Sequence, residues 1–231
     1  MLYVKPGLTT RQVVAELVAA QIGGLLGLPC PRPFLVTVAP HLIGGARGKS
    51  LLTFGCEQVG PRSLARPIRD LDLMFESLQK AKLAERAAVL DELIANSVRG
   101  PGDVVFDLEG QVWFIDHEAS LDGTVGSDRA VTNWLAFRLG EGQAVGERVA
   151  LLEALRKAAA KIPDIRVGRM PPELGKLIEG PRIYRESMSF LSERRRHLDQ
   201  LLSQRVLPEQ LYLPSGDANQ NSNDSIGTTS V

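Results

Sequence analysis

The stretch Asp103-Val104-Val105-Phe106-Asp107, Leu108-Glu109-Gly110, Val112-Trp113-Phe114-Ile115-Asp116 is two β-favouring apolar runs around a short polar turn. Val, Phe, Trp and Ile suit a pleated surface and Glu-Gly supplies the reversal, so the pattern predicts a β-hairpin. Its flanks are helical, which makes the hairpin an island that delivers Asp116 to its end. Phe106, Trp113 and Phe114 read as core packing on that hairpin, not as a cofactor box.

Working outward, apolar residues recur at helical spacing upstream of it, at Leu71, Leu73, Met74 and Leu78, and then at Leu83, Ala87, Leu90, Leu93 and Ile94. Downstream, helices are predicted around Ala130 to Leu139, Gly146 to Lys161 and Tyr184 to Gln204. The first 66 residues differ in character. Leu2-Tyr3-Val4-Lys5 reads as a strand ending at Pro6-Gly7, and a helix is predicted from a Thr10 N-cap through Val13, Val14, Leu17 and Val18 to Gly23-Gly24 or Gly27. Phe34 to Val38 and Leu51 to Phe54 then read as an antiparallel pair around a glycine-rich loop. From Ser215 onward the chain is rich in Asn, Ser, Gly and Asp, with little to bury, and is expected to be a disordered tail.

A chain of 231 residues that is 44% hydrophobic can fill a sizeable core. Lys+Arg and Asp+Glu balance at 27 each, so no overall field draws it to nucleic acid or to an anionic membrane. Cys30 and Cys56 lack the spacing of a zinc knuckle or a redox pair and read as buried thiols in a reducing compartment. No apolar run has the length of a membrane span, and the N-terminus lacks a basic-then-hydrophobic secretion signal, so a cytoplasmic protein is expected.

The chemistry-bearing residues stand in a telling order: a strand lysine, Lys5; a helix glutamate, Glu16; and a hairpin aspartate, Asp116. Phosphoryl transfer from a nucleoside triphosphate requires a fixed cation on the phosphate oxygens, a carboxylate to hold that cation, and a further carboxylate for the metal ions that neutralise developing charge. Lys5, Glu16 and Asp116 are of the types those roles need.

The segment from Leu90 through Asn96-Ser97-Val98-Arg99 to Asp103, followed by Trp113-Phe114-Ile115-Asp116-His117-Glu118, resembles the catalytic core of HipA-like kinases, a bacterial family with a lipid-kinase-like fold. That family shows Asn-x-Asp-Arg-His-x-x-Asn before a hairpin and then an Ile-Asp-His or similar triplet; here Asn96, Arg99, Ile115, Asp116 and His117 match. Tyr3-Val4-Lys5, Glu16 and Leu26-Gly27-Leu28-Pro29-Cys30-Pro31 are similar to the family's lysine strand, glutamate helix and following turn. The resemblance implies ATP and Mg2+ as cofactors, with Lys5 on the phosphates, Glu16 orienting it, Asp103 and Asp116 on metal, and Asn96 and Arg99 in the catalytic loop. It departs at two positions: Val98 stands where the family has its catalytic Asp, and Asp103 where it has a metal-binding Asn. Valine cannot accept a hydroxyl proton, whereas Asp103 can still hold magnesium. The strand-loop-strand that covers the phosphates in the family has no counterpart ahead of Lys5, which points to a start further upstream or to an open nucleotide site.

Three other patterns have bland explanations. Gly44-Gly45-Ala46-Arg47-Gly48-Lys49-Ser50 is one residue short of a phosphate loop and runs into a strand. His117 has no second histidine or cysteine pair nearby to make a zinc site. Arg182, Arg185, Arg194-Arg195-Arg196 and Arg205 are interleaved with Glu186, Glu193 and Asp199, the pattern of a solvated helix face and not of a nucleic-acid surface.

The expectation is therefore an α+β, bilobal, protein-kinase-like fold. It has a small antiparallel sheet with one helix (1–66), a helical part carrying the hairpin (67–213) and a tail (214–231). Three readings follow: a kinase homologue whose transfer to a protein Ser/Thr is impaired at Val98, an inactive pseudokinase acting as a nucleotide-binding or protein-interaction module, and a helical interaction protein of kinase ancestry that binds no nucleotide. A nucleotide is the expected partner, with a protein substrate or regulator beside it and neither membrane nor nucleic acid.

Overall fold

The computed structural model describes residues 1–43, 50–59, 70–163, 165 and 170–207. The chain opens with strand β1 (Leu2–Lys5), helix α1 (Thr10–Leu25), strand β2 (Pro33–Val38) and strand β3 (Leu51–Glu57). The three strands form one antiparallel sheet in the order β1-β3-β2, with Lys5 opposite Phe54 and Leu35 opposite the same residue on the other side. Gly55, in the middle of the central strand, is there for space: a Cβ would stand 2.7 Å from the Val36 side chain and 3.2 Å from the Tyr3 carbonyl. The glycine-rich loop at 44–49 and the join at 60–69 lie outside the described residues, as does the tail from Ser215.

Helix α1 is capped one residue earlier than expected. Thr9 is the N-cap, its hydroxyl accepting from the Gln12 amide while the Gln12 side chain accepts from the Thr9 amide. The helix runs past Gly23-Gly24 and ends where Gly27 takes a left-handed φ of 69°. Its buried face of Val13, Val14, Leu17, Val18 and Ile22 lies on β2 and β3 and reaches the helical part as well. Each such side chain withdrawn fully from water contributes about 1.5–3 kcal/mol.

Helix α2 (Leu71–Lys80) is capped by Asp70, and helix α3 (Ala84–Leu93) follows. Ala87, Ala88, Val89, Leu90 and Leu93 are buried, and so are Asp91 and Glu92, so α3 is enclosed by its neighbours and forms the centre of the helical part. Strands β4 (Val104–Phe106) and β5 (Val112–Phe114) make the predicted hairpin, shorter at both ends than the apolar runs, with Val105 opposite Trp113. Asp107 shapes its turn by accepting from the Glu109 and Gln111 amides and from the Trp113 indole. Phe114 is buried, while Trp113 lies half-exposed on the other face, so only part of the aromatic set packs in the core.

Helix α4 (Trp134–Gly140) begins four residues later than its apolar pattern suggested, because Asn133 caps it by accepting from the Ala136 amide. Helix α5 (Val145–Ala159) and the long helix α6 (Gly180–Val206) complete the chain. The latter starts four residues earlier than expected, with Pro181 in the first turn, where its missing N–H costs nothing. Among the described residues this is a mixed α/β chain of two small antiparallel sheets and six α-helices. Its apolar core runs continuously from Val13 and Phe54 to Leu90 and Leu198.

One expectation fails within α6. The interleaved charges place Arg194 on a solvated face, yet it is 0% exposed. Its guanidinium donates to the Glu92 carbonyl at 2.6 Å, the Glu92 carboxylate at 3.0 Å, and the Gly126 and Arg129 carbonyls at 3.0 and 2.7 Å. A buried charge persists only when paired and hydrogen-bonded in this way. The interleaved charges of the sequence hid it, since Glu92 is 102 residues away.

Candidate functional site

Lys5 is the last residue of β1, and its carbonyl is held by the Thr53 hydroxyl at 2.6 Å. The ladder to β3 directs its side chain over α1, where Nζ donates to Glu16 Oε1 at 2.6 Å. Glu16 is buried on the inner face of α1, and its other oxygen accepts the His117 backbone amide at 3.0 Å. That bond ties the first helix to the chain just after β5. The same region supplies two more acceptors for Lys5: Asp116 Oδ1 at 2.8 Å and Glu118 Oε2 at 3.2 Å.

Burial alone would lower the Lys5 pKa, but the Glu16 and Asp116 carboxylates outweigh it and raise it above the ordinary lysine range. Burial likewise pushes Glu16 up, and the His117 side chain and the Lys5 ammonium bring it down to about 2. Glu16 is thus a fixed anion and Lys5 a fixed cation. His117 is buried, and that burial lowers its pKa; its Nδ1 lies 3.5 Å from Glu16 Oε2.

Asp116 is presented by an unusual backbone, with φ at 61°, a left-handed conformation that costs energy for a residue other than glycine. Its neighbour is braced from two directions: the Ile115 amide donates to the Asp103 carbonyl at 2.9 Å, and the Ile115 carbonyl accepts from Arg99 at 3.3 Å. Asp103 uses its Oδ2 to accept the Gly100 amide at 2.8 Å. Burial raises its pKa, and the nearby Asp116 charge adds to the effect.

Asn96 and Arg99 do not join the Lys5 cluster. The Arg99 guanidinium grips Asp91, with Nη2 2.7 Å from Oδ1, and Asn96 Nδ2 donates to the same oxygen at 3.1 Å. Both are buried, and Asp91 is 2% exposed. Their hydrogen bonding fixes the 96–99 loop and, through Ile115, the start of the Asp116 segment. Val98 points outward and is 60% exposed.

A cavity of about 420 Å³ adjoins the cluster. Lys5, Glu16 and Asp116 are among its polar lining residues, and Ala20, Phe54 and Val105 among its apolar ones. The carboxylates of Glu16, Asp116 and Glu118 have oxygens within 4.8 Å of one another, a spacing that suits one cation, and Asp103 is not in that group. One ammonium against three carboxylates leaves surplus negative charge. The donor set therefore fits a divalent cation together with the phosphates it would carry, and disfavours a bare polyphosphate.

Sequence reading passed over two members of this arrangement, Asp91 and Glu118. Asp91 directly follows the apolar run Ala87-Ala88-Val89-Leu90, a signal that a buried carboxylate has a dedicated partner. Glu118 follows Asp116 by two residues in Asp116-His117-Glu118, and no local pattern marks it.

No family model and no curated protein matches the chain by sequence. Its structure is similar to that of a Helicobacter pylori proinflammatory kinase, CtkA, with a TM-score of 0.52 and 13% identity, over 92% of this chain and 88% of that one. The likeness shows a kinase-like fold.

Proposed function

We propose that this chain is a two-lobed, HipA-like kinase homologue that binds ATP and magnesium in the cavity beside Lys5. The observation that carries the reading is the meeting of a strand lysine, a buried helix glutamate and a post-hairpin aspartate in the lining of one cavity, in a chain whose fold is kinase-like. In this reading Lys5 binds the phosphates, Glu16 orients Lys5, and Asp116 with Asp103 holds the metal. Magnesium would neutralise charge on the phosphates. Asn96 and Arg99, clamped by Asp91, keep the loop beside the reacting groups in shape.

The acceptor is a protein Ser or Thr hydroxyl, by the HipA-like resemblance, and the setting is the cytoplasm. Transfer is slow, because the position of the proton acceptor carries Val98. A second reading, a pseudokinase that binds nucleotide and regulates a protein partner, is favoured by that same residue, whose exposed side chain has nothing to accept a proton.

The test is a pair of measurements on the full chain: calorimetric titration with ATP in the presence of magnesium, and radiolabel transfer from ATP to the chain itself and to a generic protein acceptor. Saturable binding lost in Lys5→Met supports the nucleotide site. Absence of any heat or thermal shift at millimolar ATP and magnesium refutes it. Binding without label transfer decides for the pseudokinase.

A further inference from the structure

An ammonium group has three hydrogens. Lys5 gives all of them to carboxylates, at 2.6 Å to Glu16, 2.8 Å to Asp116 and 3.2 Å to Glu118. A phosphate oxygen can reach Nζ only when one of the three withdraws. Glu16 is not the one to leave, since it is buried and its second oxygen holds the His117 amide.

Glu118 is the natural candidate. Its contact with Lys5 is the longest of the three, and among the described residues its carboxylate has no other hydrogen-bond or ion-pair partner. It sits in a turn closed by the Ser120 amide on the His117 carbonyl at 3.0 Å, outside both sheets. Its side chain can swing away without disturbing a strand ladder or the Asp116 backbone.

We propose that Glu118 masks Lys5 by occupying the place that an incoming phosphate oxygen would take, so that it excludes bare polyphosphate and admits polyphosphate accompanied by a divalent cation. The proposal rests on the nucleotide reading for its phosphate ligand, but the masking of Lys5 is a property of the side chains themselves. A free polyphosphate meets an ammonium already neutralised and a surplus of negative charge. A cation arriving with the phosphates gives the displaced carboxylates a new partner, which lowers the cost of unmasking.

Two independent readouts on the full chain test this, using wild type, Glu118→Gln and Glu118→Ala, with melting temperatures to confirm folding. The first is the rate of Lys5 acetylation by a water-soluble N-hydroxysuccinimide acetate ester, followed by peptide mass spectrometry. The second is calorimetric binding of tripolyphosphate in EDTA and of ATP with magnesium. Both variants should acetylate at Lys5 faster, because loss of a neighbouring anion favours the free amine, and bind metal-free tripolyphosphate more tightly, because loss of that anion removes a repulsion, each by about tenfold for one negative charge roughly 4 Å away at a partly exposed site. The gain for magnesium ATP should be smaller.

Unchanged acetylation together with unchanged tripolyphosphate binding in both variants overturns the proposal. So does weaker binding of magnesium ATP with unchanged acetylation, which would make Glu118 a metal ligand only. If acetylation accelerates and neither anion binds any variant, the masking stands and the nucleotide reading has failed.

Discussion

Lys5 Nζ lies 2.8 Å from Asp116 Oδ1, although 111 residues separate the two in the chain. The contact joins the edge strand of the first sheet to the exit of the hairpin. Because the Glu16 carboxylate on the other side of Lys5 is buried, removal of the lysine leaves a buried anion short of its partner. Lys5→Met should therefore destabilise the fold by about 3 kcal/mol, and Lys5→Met combined with Glu16→Gln by less than Lys5→Met alone. Urea unfolding of the single and double variants checks the sign of that coupling.

Asp91 is the common partner of Asn96 and Arg99, and Arg99 is buried around it. Asp91→Ala would leave a buried guanidinium without its counter-charge, at a cost of about 3–5 kcal/mol. Asp91→Asn keeps an acceptor and the shape, and should cost less. Denaturation midpoints of the two variants should fall in that order.

Val98 is exposed, so Val98→Asp should change stability by no more than about 0.5 kcal/mol. If the loop is otherwise competent, the new carboxylate supplies a proton acceptor and should raise label transfer from ATP by about 10²-fold or more. Radiolabel incorporation with wild type and Val98→Asp side by side is the check; equal incorporation would mean that the loop does not face an acceptor.

The two cysteines should be quiet at neutral pH. Burial pushes the Cys30 thiol up to about 12 and the Cys56 thiol up to about 11, with the Glu16 charge adding to both. The folded chain holds these protons more tightly than the unfolded chain does, so the stability linked to them is complete below pH 9 and is lost as pH rises through that value toward 11–12. Iodoacetamide should label both positions slowly at pH 7.5 and rapidly once urea has unfolded the chain, and the urea midpoint should drop between pH 9 and pH 11.

Much of the fold was legible because it rests on local signals. The hairpin announced itself through β-favouring runs around Glu109-Gly110, and α1 through the spacing of Val13, Leu17 and Val18. Helix ends moved where one side chain decided them, as at Asn133. The convergence of Lys5, Glu16 and Asp116 was anticipated through motif order, not through any property of the lysine itself. Arg194, Glu92 and Asp91 were opaque for a common reason: whether a charge is buried depends on a partner in another part of the chain or on the packing around it. Glu118 escaped notice because its importance comes from a hydrogen on Lys5, which no pattern near residue 118 encodes.

The segment after Glu118 is pinned at both ends, by the Leu121 amide on the Ile94 carbonyl and by Arg194 on the carbonyls of Gly126 and Arg129. Departure of Glu118 from Lys5 is consequently a rotamer change on a stationary backbone, a picosecond-to-nanosecond event and not a slow rearrangement of domains. Ligand association should then show a single kinetic phase whose rate climbs linearly with concentration, with no plateau from a conformational step.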